Sequence, residues 1–262
     1  MKPNTEELLY LLLWSCETLA QPTWRNLSGS FESWAYRKGF LRQIQRLEQA
    51  KLLEGSAGTG TERLYRLTEA GTTLSIGGRD PSSLWKRRWD GRWRLVVFDV
   101  PQVKAGARAK LRRYLRSRGF GFLQNSVWIT PDPLTDEREL LAGGSVSVES
   151  LILLEAHPCA GESEAEIVAG AWDFERINHL YTKHAEVLAR RPRATPKNET
   201  AARTLRKWLL EERQTWFEAV TADPLLPECL HPQGYRGVGA WRARLRDMGG
   251  AATQIRSFTE PA

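Results

Sequence analysis

A cluster of basic and amide side chains lies between residues 37 and 46 of this chain. It consists of Arg37, Lys38, Arg42, Gln43, Gln45 and Arg46. Arginine and glutamine carry paired hydrogen-bonding groups that can contact the edges of bases in the major groove of DNA, whereas a lysine ammonium suits a phosphate. A solvated helix face has a similar composition, so this pattern alone leaves both interpretations open.

The residues around this cluster predict a helix that presents it. The apolar residues that follow helical spacing within residues 33–50 are Phe40, Leu41, Ile44 and Leu47. Their shared face would pack on the protein, and the polar side chains would occupy the remaining faces. Two earlier helices are predicted over residues 5–20 and 24–28.

A hairpin is predicted directly after this helix. One strand begins at Leu52, the glycine-rich stretch 55–61 forms the tip, and residues 62–67 return as an alternating strand. Three helices followed by a hairpin is the order of a winged helix-turn-helix, in which the third helix enters the major groove and the hairpin lies on the backbone. Thr59 at the tip and Arg63 on the returning strand are therefore further candidates for DNA contacts.

Residues 89–131 predict a small sheet with one helix. Residues 92–100 are mostly apolar and indicate a buried strand, residues 105–118 have helical spacing, and residues 120–130 indicate a second strand. A strand, a helix and a returning strand form half of a ferredoxin-like fold, and a further strand over residues 145–154 would complete the sheet.

Composition restricts the classes of function. The chain has 262 residues, a net charge of +7 and a pI near 9.5, which favours an acidic partner. No apolar run reaches the roughly 20 residues of a membrane span, and no signal peptide is evident, so a cytoplasmic protein is expected.

Motifs for catalysis or metal binding are not found. The three cysteines lie far apart, which argues against a disulfide frame or a zinc site, and Cys16 and Cys159 are expected to be buried. The four histidines are expected on the polar surface. Neither a nucleophile elbow, nor a phosphate loop, nor a dinucleotide fingerprint is present, so we expect no enzyme and no cofactor.

Three stretches of the middle segment resemble a known family. They are Trp89-Asp90-Gly91 with Trp93, the residues VVFDVP at 96–101, and the residues GFGFLQNSVWITP at 119–131. Together they resemble the central part of the PaaX family of bacterial transcription regulators. The residues LYRLTEAG at 64–71, the Ala-Trp-Asp-Phe run at 171–174 and the Asp-Pro-x-Leu-Pro turn at 223–227 are similar to the family too.

The resemblance implies a fold, a function and partners. Relatives repress phenylacetate-type catabolic operons, so it implies a homodimer on palindromic operator DNA, released by an aryl-coenzyme A thioester such as phenylacetyl-CoA. The expected α+β architecture is a winged helix-turn-helix over residues 1–76, a linker over 77–88, a ferredoxin-like domain over 89–157 and a helical domain over 158–262. Within the last, a helix over residues 199–222 and a short final helix over 241–248 are expected, with a loose tail after Gly249.

Two further features leave alternatives open. Small CRISPR-adaptation nucleases with a ferredoxin-like fold place a metal-binding aspartate at a similar strand end, so Asp99 is the centre of an alternative hypothesis, a metal-dependent nuclease. Asp99 could instead cap the following turn or pair with Arg94 or Arg112. The basic run over residues 108–118 could be a solvated face, a second DNA contact or a site for the phosphates of a coenzyme A thioester.

Overall fold

The structure is a computed structural model that describes residues 8, 9, 12, 39–57, 63–99, 105–134, 150–159 and 161–256. The chain divides into two compact units that do not follow chain order. The first unit comprises Met1–Asp80, Leu180–Ala219 and Arg236–Ala262, and the second unit comprises Pro81–His179 and Val220–Tyr235. Segments from both ends of the chain therefore share one unit.

The first described elements are a helix, a hairpin and two short helices. Helix α1 spans Phe40–Gln49, strands β1 and β2 span Leu53–Ala57 and Arg63–Leu67, and helices α2 and α3 span Glu69–Ser75 and Pro81–Lys86. Strands β1 and β2 pair antiparallel, as the sequence predicts. Helix α2 was not predicted, and the segment expected to be a linker is partly helical because α3 begins at Pro81.

The middle of the chain forms a four-stranded antiparallel sheet with one described helix between its first two strands. The elements are β3 (Trp93–Asp99), α4 (Ala105–Ser117), β4 (Gly121–Gln124), β5 (Val127–Thr130) and β6 (Ser150–Ala156). The strand order is β4-β5-β3-β6, so β5 lies between the two strands that α4 connects. This is the strand order of the predicted split βαβ arrangement.

The prediction of one strand over residues 120–130 is wrong. A tight turn at Asn125 and Ser126 separates β4 from β5, and Phe122 then faces Trp128 across the hairpin. Asn125 has a φ of 45°, a left-handed conformation that asparagine tolerates better than most residues. A continuous β-branched and aromatic pattern conceals this two-residue turn.

The described part of the chain ends with helices. Helix α5 spans Glu164–Ala171, α6 Phe174–Ala189, α7 Glu199–Ala222 and α8 Gly237–Arg256, with a short 3-10 helix at Glu228–Leu230. Helix α7 has the predicted bounds. The last helix is much longer than predicted, and residues 249–256 are helical and not a loose tail.

Apolar side chains cover both faces of the sheet. On one face, Val96, Phe98 and Trp128 pack against Leu111 and Leu115 of α4. On the other face, a second cluster joins the sheet to α5 and the 3-10 helix. It consists of Trp93, Ile129, Val168, Ala171, Trp172, Leu226 and Leu230. The sheet is thus the centre of the second unit.

The first unit has one core to which both ends of the chain contribute. Leu8, Leu9 and Leu12 have helical backbone and are fully or almost fully buried there. The other buried members up to Ile76 are Ile44, Leu47, Leu52, Leu53, Tyr65 and Ile76, and those from α6 to α8 are Val187, Leu188, Ala202, Leu205, Trp208, Leu209, Met248, Ala251, Ala252 and Ile255. None of the described helices is apolar over a length that would cross a membrane.

A buried triad of polar side chains crosses this unit and shows that the prediction of a surface histidine is wrong for His184, whereas His157 and His179 are exposed. His184, Glu212 and Arg244 are fully buried, with His184 Nε2 2.9 Å and Arg244 Nε 2.7 Å from Glu212 Oε1. Burial by itself raises the pKa of Glu212, but the charge of Arg244 and the hydrogen bond with His184 outweigh it and lower that pKa to about 2. The Arg244 guanidinium also lies over the Trp216 ring.

The cysteines also differ from expectation. Cys159 and Cys229 are exposed and unpaired, so the prediction that Cys159 is buried is wrong. Cys159 lies in the segment after β6, where the backbone runs over the surface and a small apolar side chain has no core to enter. Cys16 lies outside the described residues.

Candidate nucleic-acid interface

Helix α1 is oriented by its apolar side. Gly39 precedes the helix with a φ of 118°, a conformation that glycine adopts without strain. Ile44 and Leu47 are buried in the core of the first unit, three residues apart on one helix face. The opposite side of the helix, with Leu41, Arg42 and Gln45, is therefore available to solvent or to a partner.

The solvent side of α1 carries part of the predicted DNA-contacting set. Arg42 and Gln45 are exposed and lie on one side of the helix, because they are three residues apart. Gln43 and Arg46 are half-buried, and Arg46 Nη1 donates to Gln43 Oε1 over 3.5 Å. The structure thus separates the four described candidates into an exposed pair and a pair that contact each other.

Two further residues belong to this surface. Leu41 is 58% exposed, so it does not serve the core as its spacing predicted. Gln49 is exposed and follows Arg42 by two helical turns, which places it on the same side. The sequence pattern could have identified Gln49 by this spacing.

The hairpin follows α1 and is anchored by its first residues. Leu53 and Tyr65 are buried, while Glu54 and Arg66 are exposed and directly opposite each other across the strands. This pair of opposite charges lies at the end of the hairpin nearest the core. Arg66 was not among the predicted contacts, although it lies on the same strand as Arg63.

Four of the residues predicted to contact DNA have side chains outside the described part of the structure. The backbone of Arg63 pairs with Ala57 at the far end of the hairpin. Arg37, Lys38 and Thr59 lie outside the described residues, as does the tip of the hairpin. Their DNA contacts therefore stay predictions.

The LYRLTEAG motif fixes the hairpin to the end of α1. Thr68 Oγ1 accepts from the backbone N–H of Gly71 over 3.0 Å, which caps α2, and donates to the carbonyl of Lys51 over 2.9 Å. A Cβ at Gly71 would lie 2.1 Å from the carbonyl oxygen of Leu52, so only glycine permits this approach. The motif is therefore explained by backbone packing.

The Trp-Asp-Gly-x-Trp motif is a structural turn at the start of β3. Gly91 has a φ of 76°, and Asp90 accepts from the N–H of Arg92 over 3.1 Å and from Arg94 Nη1 over 2.7 Å. The hydrogen bond from Arg94 lowers the pKa of Asp90 to about 2. Arg94 itself is buried, so the motif holds a buried guanidinium near the start of the interior strand β3.

The Asp-Pro-x-Leu-Pro turn is likewise held by its aspartate. Asp223 is buried and accepts from the N–H of Leu225 over 2.8 Å and from the hydroxyl of Tyr235. Trp85 Nε1 donates to the same hydroxyl over 3.0 Å. Leu225 adopts a left-handed φ of 53°, which this hydrogen bonding stabilises.

A metal centre at Asp99 receives no support from the described residues. Asp99 is the last residue of β3, and its backbone pairs with Ser150. The side chain of Asp99 lies outside the part of the chain that the structure describes. Within the described part of the chain, no group of three or more His, Cys, Asp or Glu side chains could hold a metal ion. Of the two suggested partners of Asp99, Arg94 binds Asp90 and Glu155, and Arg112 donates to the carbonyl of Asn125.

The second unit contains most of the stretch that matches a known family model. Its antiparallel sheet has the ferredoxin-like order, in a chain of mixed α and β structure. Residues 86–168 match the family model described as the PaaX protein central Cas2-like domain. This stretch of the chain is similar to the central domain of the PaaX family, which confirms the resemblance seen in the motifs at residues 89–131. The term Cas2-like describes a fold and favours no nuclease activity.

A solved structure is similar over most of the chain. It is "Uncharacterized protein Rv0674 from Mycobacterium tuberculosis", with a TM-score of 0.50 and 20% sequence identity, covering 82% of each chain. At this identity the similarity concerns the fold alone. No curated protein matches the chain.

Proposed function

We propose that this protein is a DNA-binding transcriptional regulator of the PaaX type and that it catalyses no reaction. The single observation that carries the proposal is the exposed pair Arg42 and Gln45 on α1, directly before a hairpin, in a chain with a PaaX central domain. Basic and amide side chains on an exposed helix are suited to base edges. Residues 1–76 form a winged helix-turn-helix in this proposal.

Each candidate residue has a role in the proposed complex. Arg42 and Gln45 contact base edges in the major groove, and Gln43 and Arg46 support them from the neighbouring side of α1. Arg37 and Lys38 extend the contact toward the start of the helix. Thr59 and Arg63 on the hairpin bind phosphates, which position the protein without specifying sequence.

The regulation that we propose is repression of an aromatic-acid catabolic operon, relieved by an aryl-coenzyme A thioester such as phenylacetyl-CoA. Its support is the resemblance to the PaaX family. A homodimer would bind two half-sites of a palindromic operator. The thioester would favour a conformation in which the two recognition helices no longer match the half-site spacing.

A salt titration of DNA binding tests this proposal. The duplex upstream of the protein's own gene is compared with an unrelated duplex of equal length, with and without phenylacetyl-CoA. The double variant Arg42→Ala/Gln45→Ala is expected to lose the preference for the upstream duplex, at about 1–3 kcal/mol for each base contact removed. The control Arg242→Gln removes an exposed helix arginine elsewhere in the first unit and should keep the preference.

Each outcome has a distinct meaning. Sequence-dependent binding that the thioester releases supports both the regulator and its inducer. Binding that is indifferent to the thioester keeps the regulator and removes the inducer. Equal affinity of the wild type for both duplexes would contradict the proposed regulator.

A further inference from the structure

Helix α4 of the second unit carries a dense group of positive charges. Its basic residues and the one that follows it are Arg108, Lys110, Arg112, Arg113, Arg116 and Arg118. Residues 105–134 contain only one acidic residue, Asp132, which is already bound 2.6 Å from Arg87. The local excess of positive charge is therefore not balanced by neighbouring sequence.

Packing directs these charges outward. Leu111 and Leu115 are buried against the sheet and fix the orientation of the helix. Arg113 and Arg116 are exposed, and Arg112 is half-buried between them and the sheet edge. Among the described residues, no carboxylate forms an ion pair with Arg112, Arg113 or Arg116. These three residues form what we call the α4 surface.

Two of these arginines are held by aromatic rings. The guanidinium of Arg112 lies 5.9 Å from the centroid of Phe122, and that of Arg116 lies 5.7 Å from the centroid of Trp128. Arg112 also donates to the carbonyl of Asn125 over 3.3 Å. Side chains restrained in this way lose less conformational entropy when they bind an anion.

The chemistry of the α4 surface favours phosphate groups on a duplex. Arginine binds phosphate through two parallel hydrogen bonds, and Arg112 and Arg116 are separated by about 6 Å along the helix. Trp128 is fully buried, so its ring offers no face to an unpaired base. Phe122 is 37% exposed, but the Arg112 guanidinium already lies over its ring, which also contacts Trp128. The exposed side of α4 itself carries no large apolar side chain, and Phe122 and Leu123 of β4 are each only 37% exposed, which is little apolar surface for insertion into a bilayer.

We propose that the α4 surface binds the phosphate backbone of duplex DNA, independently of sequence, in addition to the contacts of α1. This phosphate binding extends the proposed function, and it would occur even if α1 did not recognise a specific sequence. A cation that neutralises a phosphate releases condensed counterions. Each contact therefore makes the decrease of log affinity with log salt concentration steeper by about 0.9. This slope is a direct measure of the contact.

The test uses the full chain and the double variant Arg113→Gln/Arg116→Gln. Binding to the upstream duplex and to the unrelated duplex is measured across a range of salt concentrations. The control Lys183→Gln/Lys207→Gln removes two exposed helix charges that have acidic residues one turn away, Glu186 and Glu211. Arg113→Lys/Arg116→Lys retains both positive charges and tests whether a change in the salt dependence of binding comes from the loss of charge.

We expect Arg113→Gln/Arg116→Gln to lower the slope by about 2 on both duplexes and to leave their affinity ratio unchanged. The control and the lysine variant should keep the wild-type slope. The side chain of Arg113 contacts no ring among the described residues, so Arg113→Gln alone can replace the double variant if the latter folds poorly. It should make the salt dependence less steep by about 1.

Three results would separate the hypotheses. A wild-type slope in the folded glutamine variants would overturn the inference. An unchanged slope together with weaker binding to phosphatidylserine vesicles would overturn it too and would assign the surface to a membrane. If the glutamine variants reduce the slope but the wild type prefers neither duplex, the result would support phosphate binding by the α4 surface and contradict sequence recognition by α1.

Discussion

At the scale of single residues, Glu212 is the charge on which the core of the first unit depends. Its carboxylate is fully buried between His184 and Arg244. Removing one member of a buried ion pair leaves the opposite charge uncompensated, which costs far more than the loss of a surface pair. The neighbouring Glu211 forms a surface ion pair with Arg190 and provides a comparison.

We expect Glu212→Gln to lower the free energy of unfolding by about 3–5 kcal/mol, because the buried charge of Arg244 loses its carboxylate. Glu211→Gln should change it by less than about 1 kcal/mol. Urea denaturation of both variants at neutral pH measures the difference. Equal effects of the two substitutions would contradict the assigned role of the triad.

The same residue should make stability depend on pH. The pKa of Glu212 is lowered in the folded state to about 2, from an ordinary value of 4.5. Its stabilising contribution is therefore complete above the unfolded pKa and is lost as the pH falls from about 5 toward 2. The difference in unfolding free energy between wild type and Glu212→Gln should narrow over that range.

Residue-level expectations failed where partners are distant in sequence. His184 was expected at the surface because the four histidines are scattered and nothing in the sequence supplies further ligands for them. Its partner Glu212 lies 28 residues away, on another helix. By contrast, Arg42 and Gln45 were expected on an exposed face and lie there, because helical spacing alone decides their side.

At the scale of elements, Gly121 determines how closely α5 approaches the sheet. A Cβ at this position would lie 2.6 Å from the Trp172 ring and 2.7 Å from Ala171 Cβ. Trp172 Nε1 donates to the carbonyl of Gly119 over 3.0 Å, so the indole has no freedom to move away without losing this bond. The β4 glycine is thus required by packing and not by its backbone angle.

We expect Gly121→Ala to destabilise the protein by about 1–3 kcal/mol through overpacking against Trp172. The control Gly170→Ala lies in α5 itself, where a Cβ meets nothing within 4 Å, and should stabilise by up to about 1 kcal/mol. Thermal unfolding with tryptophan fluorescence measures both. A neutral Gly121→Ala would contradict the tight contact.

The ends of helices were predictable where the apolar spacing stops at a helix-breaking residue. Helix α7 has its predicted bounds because Asp223-Pro224 ends a long amphipathic pattern. Helix α8 was predicted to end at Met248 because two glycines follow. It continues because Ala251, Ala252 and Ile255 remain buried, and Gly250 permits the side chain of Arg191 to lie against the helix. Tertiary burial here outweighs the low helix propensity of glycine.

At the scale of the whole molecule, the sequence could not reveal which helices share a core. Each amphipathic helix shows that it has an apolar side but not which segment that side meets. The leucines of α7 were expected in a helical domain after residue 158. The structure places Leu205 and Leu209 in one cluster with Ile44 and Leu47 of α1.

This shared core predicts a long-range effect. Leu205→Ala should cost about 2–5 kcal/mol, because Leu205 is buried, and it should reduce amide protection in the hairpin β1–β2 as well as in α7. The control Leu245→Ala removes a leucine that is 44% exposed and should leave the hairpin protected. Hydrogen exchange resolved by residue makes the comparison. Loss of protection confined to α7 would contradict a common core.

The composition of that core also limits how such a protein can diversify. A recombination event that transplanted only residues 1–76 into another chain would leave Ile44, Leu47, Leu53 and Tyr65 without the helices that cover them. An exchange of the proposed DNA specificity between relatives must therefore transfer the matching parts of α6, α7 and α8 together with α1, or proceed by point substitution on the exposed side of α1. The segment that we propose to bind DNA is consequently not a portable module, although it is contiguous in the gene.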